Sequence, residues 1–148
     1  MTNNNQYINV YKNTQQSMNS ITPSHEIIRS LMKELMNSMS KIVLDIQDER
    51  NDKNNSFFSN NELKKNKALK KSKNISKSLS IIYGLQTCLD FDKAFEIASN
   101  LFQLYEYCKQ EILKGFTRKI ENGILKAIDV IKQIMEGWEE IPSEEKIK

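Results

Sequence analysis

Apolar side chains recur every three or four residues along three long stretches of the chain, which is the spacing of helices in a bundle. The first stretch follows Thr22-Pro23, a capping hydroxyl and a proline suited to the first helical position. The pattern predicts a first helix that ends near Glu49-Arg50. Its seam is Ile28, Met32, Leu35, Met39, Ile42 and Ile46, widened by Ile27, Leu31, Met36 and Val43.

A second helix is predicted from about Glu62 to Leu89, and its two halves differ. The first half is rich in lysine and offers few core positions beyond Leu63, Ala68 and Leu69. Lysines near a helix N-terminus oppose the helix dipole, at a cost of ~0.3–1 kcal/mol for the nearest ones, which favours fraying of this half. The second half has a continuous apolar stripe of Ile75, Leu79, Ile82, Leu85 and Leu89.

The connection Asp90-Phe91-Asp92 offers two N-cap carboxylates and predicts a third helix that returns antiparallel to the second. This helix is expected to continue to about Lys114 and to break at Gly115. Thr117 then caps a fourth helix, which Pro142 stops. The seam of that helix is Ile120, Ile124, Ala127, Ile131, Ile134, Trp138 and Ile141. The whole pattern predicts an all-α fold, an antiparallel four-helix bundle.

The third helix has a wider apolar face than a surface helix needs. When successive residues are placed 100° apart around the helix axis, the apolar positions from Leu104 round to Phe95 cover roughly half the circumference. The apolar stripe of a helix that is buried on one side only is narrower, at somewhat more than about 100°. Such a helix either lies centrally in the bundle or leaves part of its face for a partner. Central packing is the simpler interpretation, and a detachable N-terminal arm favours a groove for a helical partner.

The chain divides into three parts. Residues 1–20 are polar with a few spaced apolar side chains, and they predict a short flexible arm or cap helix. Residues 21–142 form the bundle, which fits a single domain, and residues 143–148 form a disordered tail of mixed charge. Between the first two helices lies a polar loop, residues 51–61, whose Phe57-Phe58 pair is expected to pack on the bundle.

The distribution of charge and the two cysteines indicate which kinds of binding site and cellular location to expect. The net charge is +3, yet residues 62–77 hold seven lysines and one acid, +6 in all, so the remainder sums to −3. This run contains no arginine or aromatic side chain to read bases, which favours a solvated helix end over a nucleic-acid site. Cys88 and Cys108 fall on apolar helix sides, where buried thiols are favoured over a disulfide. The chain has neither a transmembrane stretch nor a secretory signal, and a cytoplasmic location is expected.

Residues suited to catalysis are scarce. His25 is the only histidine, and in a predicted first helical turn it is expected to be exposed and neutral in role. The four glycines stand singly, so no phosphate-binding loop is indicated, and one histidine cannot supply a di-iron bundle or a zinc set. The sequence predicts a protein that is not an enzyme and that needs no cofactor or metal.

Two short segments resemble the flagellar export chaperones of the FliS family. Cys88-Leu89-Asp90 matches the family pattern Ser-Leu-Asp, and residues 100–107 match Asn-Leu-x-x-Leu-Tyr-x-Tyr. The likeness covers most of the chain and includes Tyr11 and Thr14 in the arm, Thr22-Pro23 and Trp138. The family's Leu-Tyr/Phe-Asp-Gly falls on residues 31–34, Leu-Met-Lys-Glu, and its arginine pair falls on Gln110-Glu111.

The resemblance implies a cytosolic export chaperone that binds the C-terminal segment of flagellin. Such a chaperone prevents premature polymerisation and assists delivery to the flagellar type III export apparatus. The client becomes helical and lies along grooves of helices two to four, and the arm occupies part of that surface when no client is bound. The implied client contacts are Ile82, Leu85, Leu89, Ile97, Leu101, Leu104 and Tyr105, some of them also core. The arm contacts are Tyr7, Ile8, Val10 and Tyr11.

Further partners and alternatives remain open at this point. Export-gate or regulatory flagellar proteins are candidates for further partners. Nucleic acid is disfavoured as a partner, no membrane is expected, and the chain is expected to be a monomer or a weak homodimer. The alternative function is a lysine-rich helical bundle that binds nucleic acid or another helical protein.

Overall fold

The structure, a computed structural model, describes residues 25–52, 61–92 and 94–140. They form four helices: α1 His25–Asp52, α2 Asn61–Thr87, α3 Phe95–Arg118 and α4 Asn122–Glu139. The helices pack on one another as a bundle and the described residues contain no strand, which confirms the predicted fold class. The arm with its predicted contacts, the Phe57-Phe58 pair, Thr22-Pro23, Ile141, Pro142 and the tail lie outside the described residues.

The order of the helices around the bundle places α1 between α2 and α4. α3 packs against α4 and, less extensively, against α2, so α1 and α3 lie diagonally across the core. α2 runs back along α1, because the Lys71 Nζ atom lies 3.0 Å from Glu49 Oε2 and Asn74 Nδ2 lies 3.3 Å from Asp45 Oδ2. α3 therefore has one edge facing α2 and another facing α4.

The predicted seam of α1 forms the centre of the core. Each of its six side chains is at most 1% exposed. The residues expected to widen it do so in part: Val43 is buried, Leu31 and Met36 are half-buried, and Ile27 is 48% exposed. Of the seam predicted for α4, Ile124, Ala127, Ile131 and Trp138 are buried and Ile134 is half-buried.

The lysine-rich half of α2 lies outside the core. All described side chains from 62 to 70 are exposed, so the prediction of core positions at Leu63, Ala68 and Leu69 is wrong. The first buried side chain among the described residues of α2 is that of Lys71, whose Nζ atom lies 3.0 Å from Glu49 Oε2 and 5.0 Å from the centroid of the Phe116 ring. α1 ends only three residues after Glu49, so it offers little further surface for the preceding turns of α2.

The turn between α2 and α3 does not use the predicted caps. The N-cap position is Ala94, which makes no side-chain cap hydrogen bond. The Oδ1 atom of Asp90 instead accepts the Asp92 backbone N–H at 3.0 Å, a local turn bond that short acidic side chains commonly form. The carboxylate is thus engaged within the turn, and α3 begins three residues after Asp92.

The prediction that Gly115 ends the third helix is also wrong. α3 continues to Arg118 and ends at Lys119, whose φ of 57° is left-handed. The Thr117 hydroxyl donates to the Leu113 carbonyl at 2.8 Å instead of capping α4. A Cβ atom at Gly115 would lie 2.5 Å from Ile124 Cδ1 and 2.8 Å from the Ile120 carbonyl oxygen. This glycine therefore lets α3 and the start of α4 approach closely, and Ile120 is left in the connection, 47% exposed.

His25 is buried, contrary to the expectation of an exposed, neutral residue. Its ring is stacked on that of Trp138, with centroids 4.6 Å apart. His25 Nε2 donates to the Trp138 carbonyl at 2.6 Å, and Trp138 Nε1 donates to the His25 carbonyl at 3.0 Å. We call this arrangement the His25–Trp138 clasp. It ties the first residue of α1 to the last turn of α4.

Candidate partner-binding groove

The structure separates the seven predicted client contacts into two groups. Ile82, Leu85, Leu89 and Tyr105 are at most 5% exposed and pack in the core. Their contact with a client stays a prediction. The other three lie together on the side of α3 that faces α4, where Ile97 is half-buried, Leu101 is 6% exposed and Leu104 is 38% exposed.

These three residues line a cavity of about 330 Å³ between α3 and α4, which we call the apolar cavity. The predicted contacts lie on helices two and three and indicate a groove between them, whereas this cavity lies on the opposite edge of α3, facing α4. Its lining is Met32, Ile97, Asn100, Leu101, Leu104, Val130, Gln133, Ile134, Gly137 and Trp138.

Small and polar residues keep the apolar cavity open at its rim. A Cβ atom at Gly137 would have no atom within 4 Å, so this turn of α4 leaves free space beside the cavity. Asn100 and Gln133 add amide groups to an otherwise apolar lining. Trp138 forms part of the wall and is fixed by the His25–Trp138 clasp. The arrangement suits burial of apolar side chains, oriented by two amides.

The α4 half of this lining was not predicted as a partner surface. Ile134 belongs to the predicted α4 seam, and Val130 and Gly137 flank it at helical spacing. The available sequence signal was a seam residue, Ile134, close to a glycine, because a glycine lacks the side chain that would cover its neighbour. The spacing alone does not distinguish such a position from an ordinary core residue.

A second cavity, of about 280 Å³, lies near the α3–α4 turn, and we call it the basic notch. Its lining is Tyr107, Glu111, Lys114, Gly115, Arg118, Ile120, Gly123 and Lys126. The Glu111 carboxylate lies directly over Gly123, where a Cβ atom would clash with Oε2. Burial, with a further contribution from Glu111, raises the pKa of Tyr107. The notch thus combines three cations, one acid and a partly apolar floor.

The other edge of α3, facing α2, carries polar and aromatic contacts. Gln86 Nε2 donates to Glu106 Oε2 at 2.9 Å and to the Phe102 carbonyl at 3.3 Å. The hydrogen bond from Gln86, followed by that from Lys109, lowers the pKa of Glu106. The Phe91 ring makes edge contacts with Phe95 and Phe102, at centroid distances of 6.4 and 6.0 Å. The wide apolar face of α3 therefore packs into the core and also extends to both edges of this helix, one facing α2 and the other facing α4.

Comparison with known proteins places the chain in a family. The model of the family described as flagellar protein FliS matches residues 3–145. The chain belongs to the FliS family. It is 31% identical over 64 residues to the flagellar secretion chaperone FliS of Vibrio cholerae, an alignment that covers 43% of this chain and 47% of that protein. The match thus spans about half of that relative's length. No solved structure gives a significant match.

The described part of this FliS-family chain contains no group of three or more His, Cys, Asp or Glu side chains placed to hold a metal ion. Neither cysteine forms a disulfide; Cys108 is buried, as predicted, whereas Cys88 is only half-buried. Burial raises the pKa of Cys108 to about 12. A thiol with so high a pKa is a poor nucleophile at neutral pH. None of the four helices is both long and apolar enough to cross a membrane.

Proposed function

We propose that this FliS-family bundle is a cytosolic export chaperone that binds the C-terminal segment of flagellin. It prevents that segment from polymerising early and assists its delivery to the flagellar type III export apparatus. The observation that supports the proposal most is the apolar cavity, which opens along the α3–α4 face of a FliS-family bundle. The name of the Vibrio cholerae relative, a flagellar secretion chaperone, supports the same class of activity.

The proposed mechanism is burial of the client without chemistry. A segment that is disordered when free folds as a helix in the groove and sets apolar side chains at i, i+3, i+4 and i+7 against the cavity. Each fully buried aliphatic or aromatic side chain contributes about 1.5–3 kcal/mol, and the ordering of the segment opposes this gain by ~2–5 kcal/mol. Several anchors are therefore needed, along with contacts beyond the cavity itself.

The N-terminal arm is proposed to compete for the same surface through Tyr7, Ile8, Val10 and Tyr11. The support is positional, because α1 begins at His25, and the His25–Trp138 clasp holds this residue against a wall of the apolar cavity. Deleting residues 1–20 should leave the bundle folded and should tighten client affinity or leave it unchanged. Global unfolding of the deletion variant would make the arm a structural element instead.

Calorimetric titration of the full chain with the C-terminal forty or so residues of flagellin from the same organism tests the proposal. We expect stoichiometric binding at micromolar concentration with a negative heat-capacity change, which marks burial of apolar surface. A helical signal should rise on mixing, as measured by far-UV circular dichroism. Absence of binding at micromolar concentration and low salt would contradict the proposed function.

A further inference from the structure

We propose that the α3–α4 groove continues from the apolar cavity into the basic notch, and that the notch binds acidic side chains of the client segment seated in the cavity. The inference rests on the proposed function and adds the chemistry of the client. A bound segment must carry apolar anchors toward one end and acidic residues toward the other. The notch then sets both the direction and the register of the helix.

The two cavities lie in series along one side of both helices. On α3 the lining residues Ile97, Leu101 and Leu104 of the cavity are followed by Tyr107, Glu111, Lys114 and Arg118 of the notch, at steps of three and four. On α4 the residues Gly123 and Lys126 of the notch are followed by Val130, Gln133 and Gly137 of the cavity, again at such steps. Residues spaced in this way share one helix face, so the two rows border a single groove.

The length of this groove fits one client helix. The 21 residue steps from Ile97 to Arg118 correspond to about 32 Å at 1.5 Å per residue. A helix of about twenty residues would span it. The apolar cavity, centred near Leu101, and the three cations of the notch are separated by roughly 20 Å on the same scale. Apolar anchors and acidic residues of the client should therefore lie about two heptads apart.

The charge available in the notch is positive. Lys114, Arg118 and Lys126 stand against a single acid, Glu111, whose side chain is 16% exposed. The Lys114 Nζ atom is 3.8 Å from Glu111 Oε1, a long ion pair. Arg118 and Lys126 form no ion pair with any acid among residues 25–52, 61–92 and 94–140. Two cations are thus left for an anionic partner.

The opposite end of the groove has the opposite charge. α4 ends at Glu139 and is followed by its C-cap residue Glu140, both exposed, beyond the cavity residues Gly137 and Trp138. Glu139 pairs with Arg29 at 2.7 Å, while Glu140 has no ion-pair partner among the described residues. A client acid is attracted at the notch and repelled at the cavity end. This polarity distinguishes the groove from a uniformly apolar one.

A pair of designed peptides tests the chemistry directly. Both are twenty-residue amphipathic helices with the same apolar anchors at one end. About fourteen residues further along, one peptide carries three glutamates and the other carries three glutamines at the same positions. Measured by fluorescence anisotropy with the full chain at 50 mM salt, the glutamate peptide should bind about tenfold tighter, as expected for a few partly exposed ion pairs. The difference should shrink as salt is raised to 300 mM, because salt screens exposed charges. Equal binding at 50 mM salt would overturn the inference.

A matched pair of chain variants places the effect at the notch. Arg118→Gln/Lys126→Gln removes two positive charges from the notch, and Lys64→Gln/Lys65→Gln removes the same charge from the exposed start of α2. The notch variant should lose about three- to tenfold in affinity for the flagellin segment at 50 mM salt, and the α2 variant should stay within twofold of the unmodified chain. Equal losses in both variants, or none in either, would overturn the inference and leave the proposed function intact. Failure of the unmodified chain to bind the segment would instead overturn the proposed function.

Discussion

Replacing Gly115 by alanine should destabilise the bundle, although alanine is the better helix former. Alanine gains about 1 kcal/mol over glycine inside a helix. At this position, however, the added Cβ atom would lie 2.5 Å from Ile124 Cδ1 and 2.8 Å from the Ile120 carbonyl oxygen. Carbon atoms pack at about 3.5–4.0 Å, so the start of α4 must move away. Overpacking of this kind costs about 1–3 kcal/mol, which offsets or exceeds the helix gain.

Gly84→Ala is the matched control, because Gly84 is also within a helix and a Cβ atom there would have no atom within 4 Å. The helix gain is common to both variants, so their difference isolates the contact at Gly115. We expect Gly84→Ala to be more stable than Gly115→Ala by about 1–3 kcal/mol in urea unfolding followed by circular dichroism. In thermal unfolding this is a gap of roughly 2–12 °C for a chain of this size. Equal shifts in the two variants would refute the close approach of α3 and α4.

Three further predictions concern the clasp, an ion pair and a thiol. Trp138→Phe keeps a ring beside His25 but removes the indole donor to the His25 carbonyl, so thermal unfolding should show a loss of about 1–3 kcal/mol; an unchanged Tm would mean that the clasp adds nothing. The hydrogen bond from Arg50 lowers the pKa of Glu121. This pair therefore stabilises the fold at pH values above the ordinary carboxyl pKa, and the stabilisation is lost as the pH falls through the lowered pKa. NMR titration should show the Glu121 pKa rising in Arg50→Gln, and no rise would exclude the pair. Cys108, with its pKa of about 12, should stay unmodified by a thiol reagent at pH 8 until the protein is unfolded, and rapid native labelling at this residue, read by mass spectrometry, would contradict its burial.

The fold could be predicted from the sequence because helical spacing and burial agree along α1 and α4. Met32, Leu35 and Met39 fall every three or four residues and are all buried. The same spacing failed at the start of α2, where Leu63 and Leu69 have the right period but α1 ends before it can cover them. Periodicity identifies the face of a helix, and only the lengths of the neighbouring helices decide which part of that face is covered.

The errors at His25 and Gly115 have one physical cause, contacts between residues distant in sequence. His25 was expected to be exposed, since nothing near it in the chain indicates that Trp138, 113 residues away, stacks on its ring. Gly115 was expected to end a helix, which is the common role of a glycine after an apolar run. Its actual role depends on Ile124 of the next helix. Local rules give the default role of a residue, and the packing of another helix overrides it.

The candidate groove was predicted on one side only. Ile97, Leu101 and Leu104 were identified at the edge of the apolar arc of α3, and they line the apolar cavity. Their partners Val130 and Ile134 were not identified, because a sequence pattern does not say which neighbouring helix lies beside a given edge. Helix order around the bundle is set by the connections and by packing, and it places α4 on this side of α3.

Binding of the client in the α3–α4 groove can be tested by filling the groove. Gly137→Phe adds a ring beside the apolar cavity, where open space surrounds the new Cβ atom, and Gly84→Phe makes the same change on α2 in equally open space. Displacing one apolar anchor of the client removes about 1.5–3 kcal/mol of binding, which is roughly a 10- to 150-fold loss.

Titration calorimetry with the flagellin C-terminal segment measures this loss, after circular dichroism has shown that both variants fold. We expect at least a tenfold loss of affinity for Gly137→Phe and a change within twofold for Gly84→Phe. Unchanged affinity in Gly137→Phe, or an equal loss in both variants, would contradict the assignment of the groove.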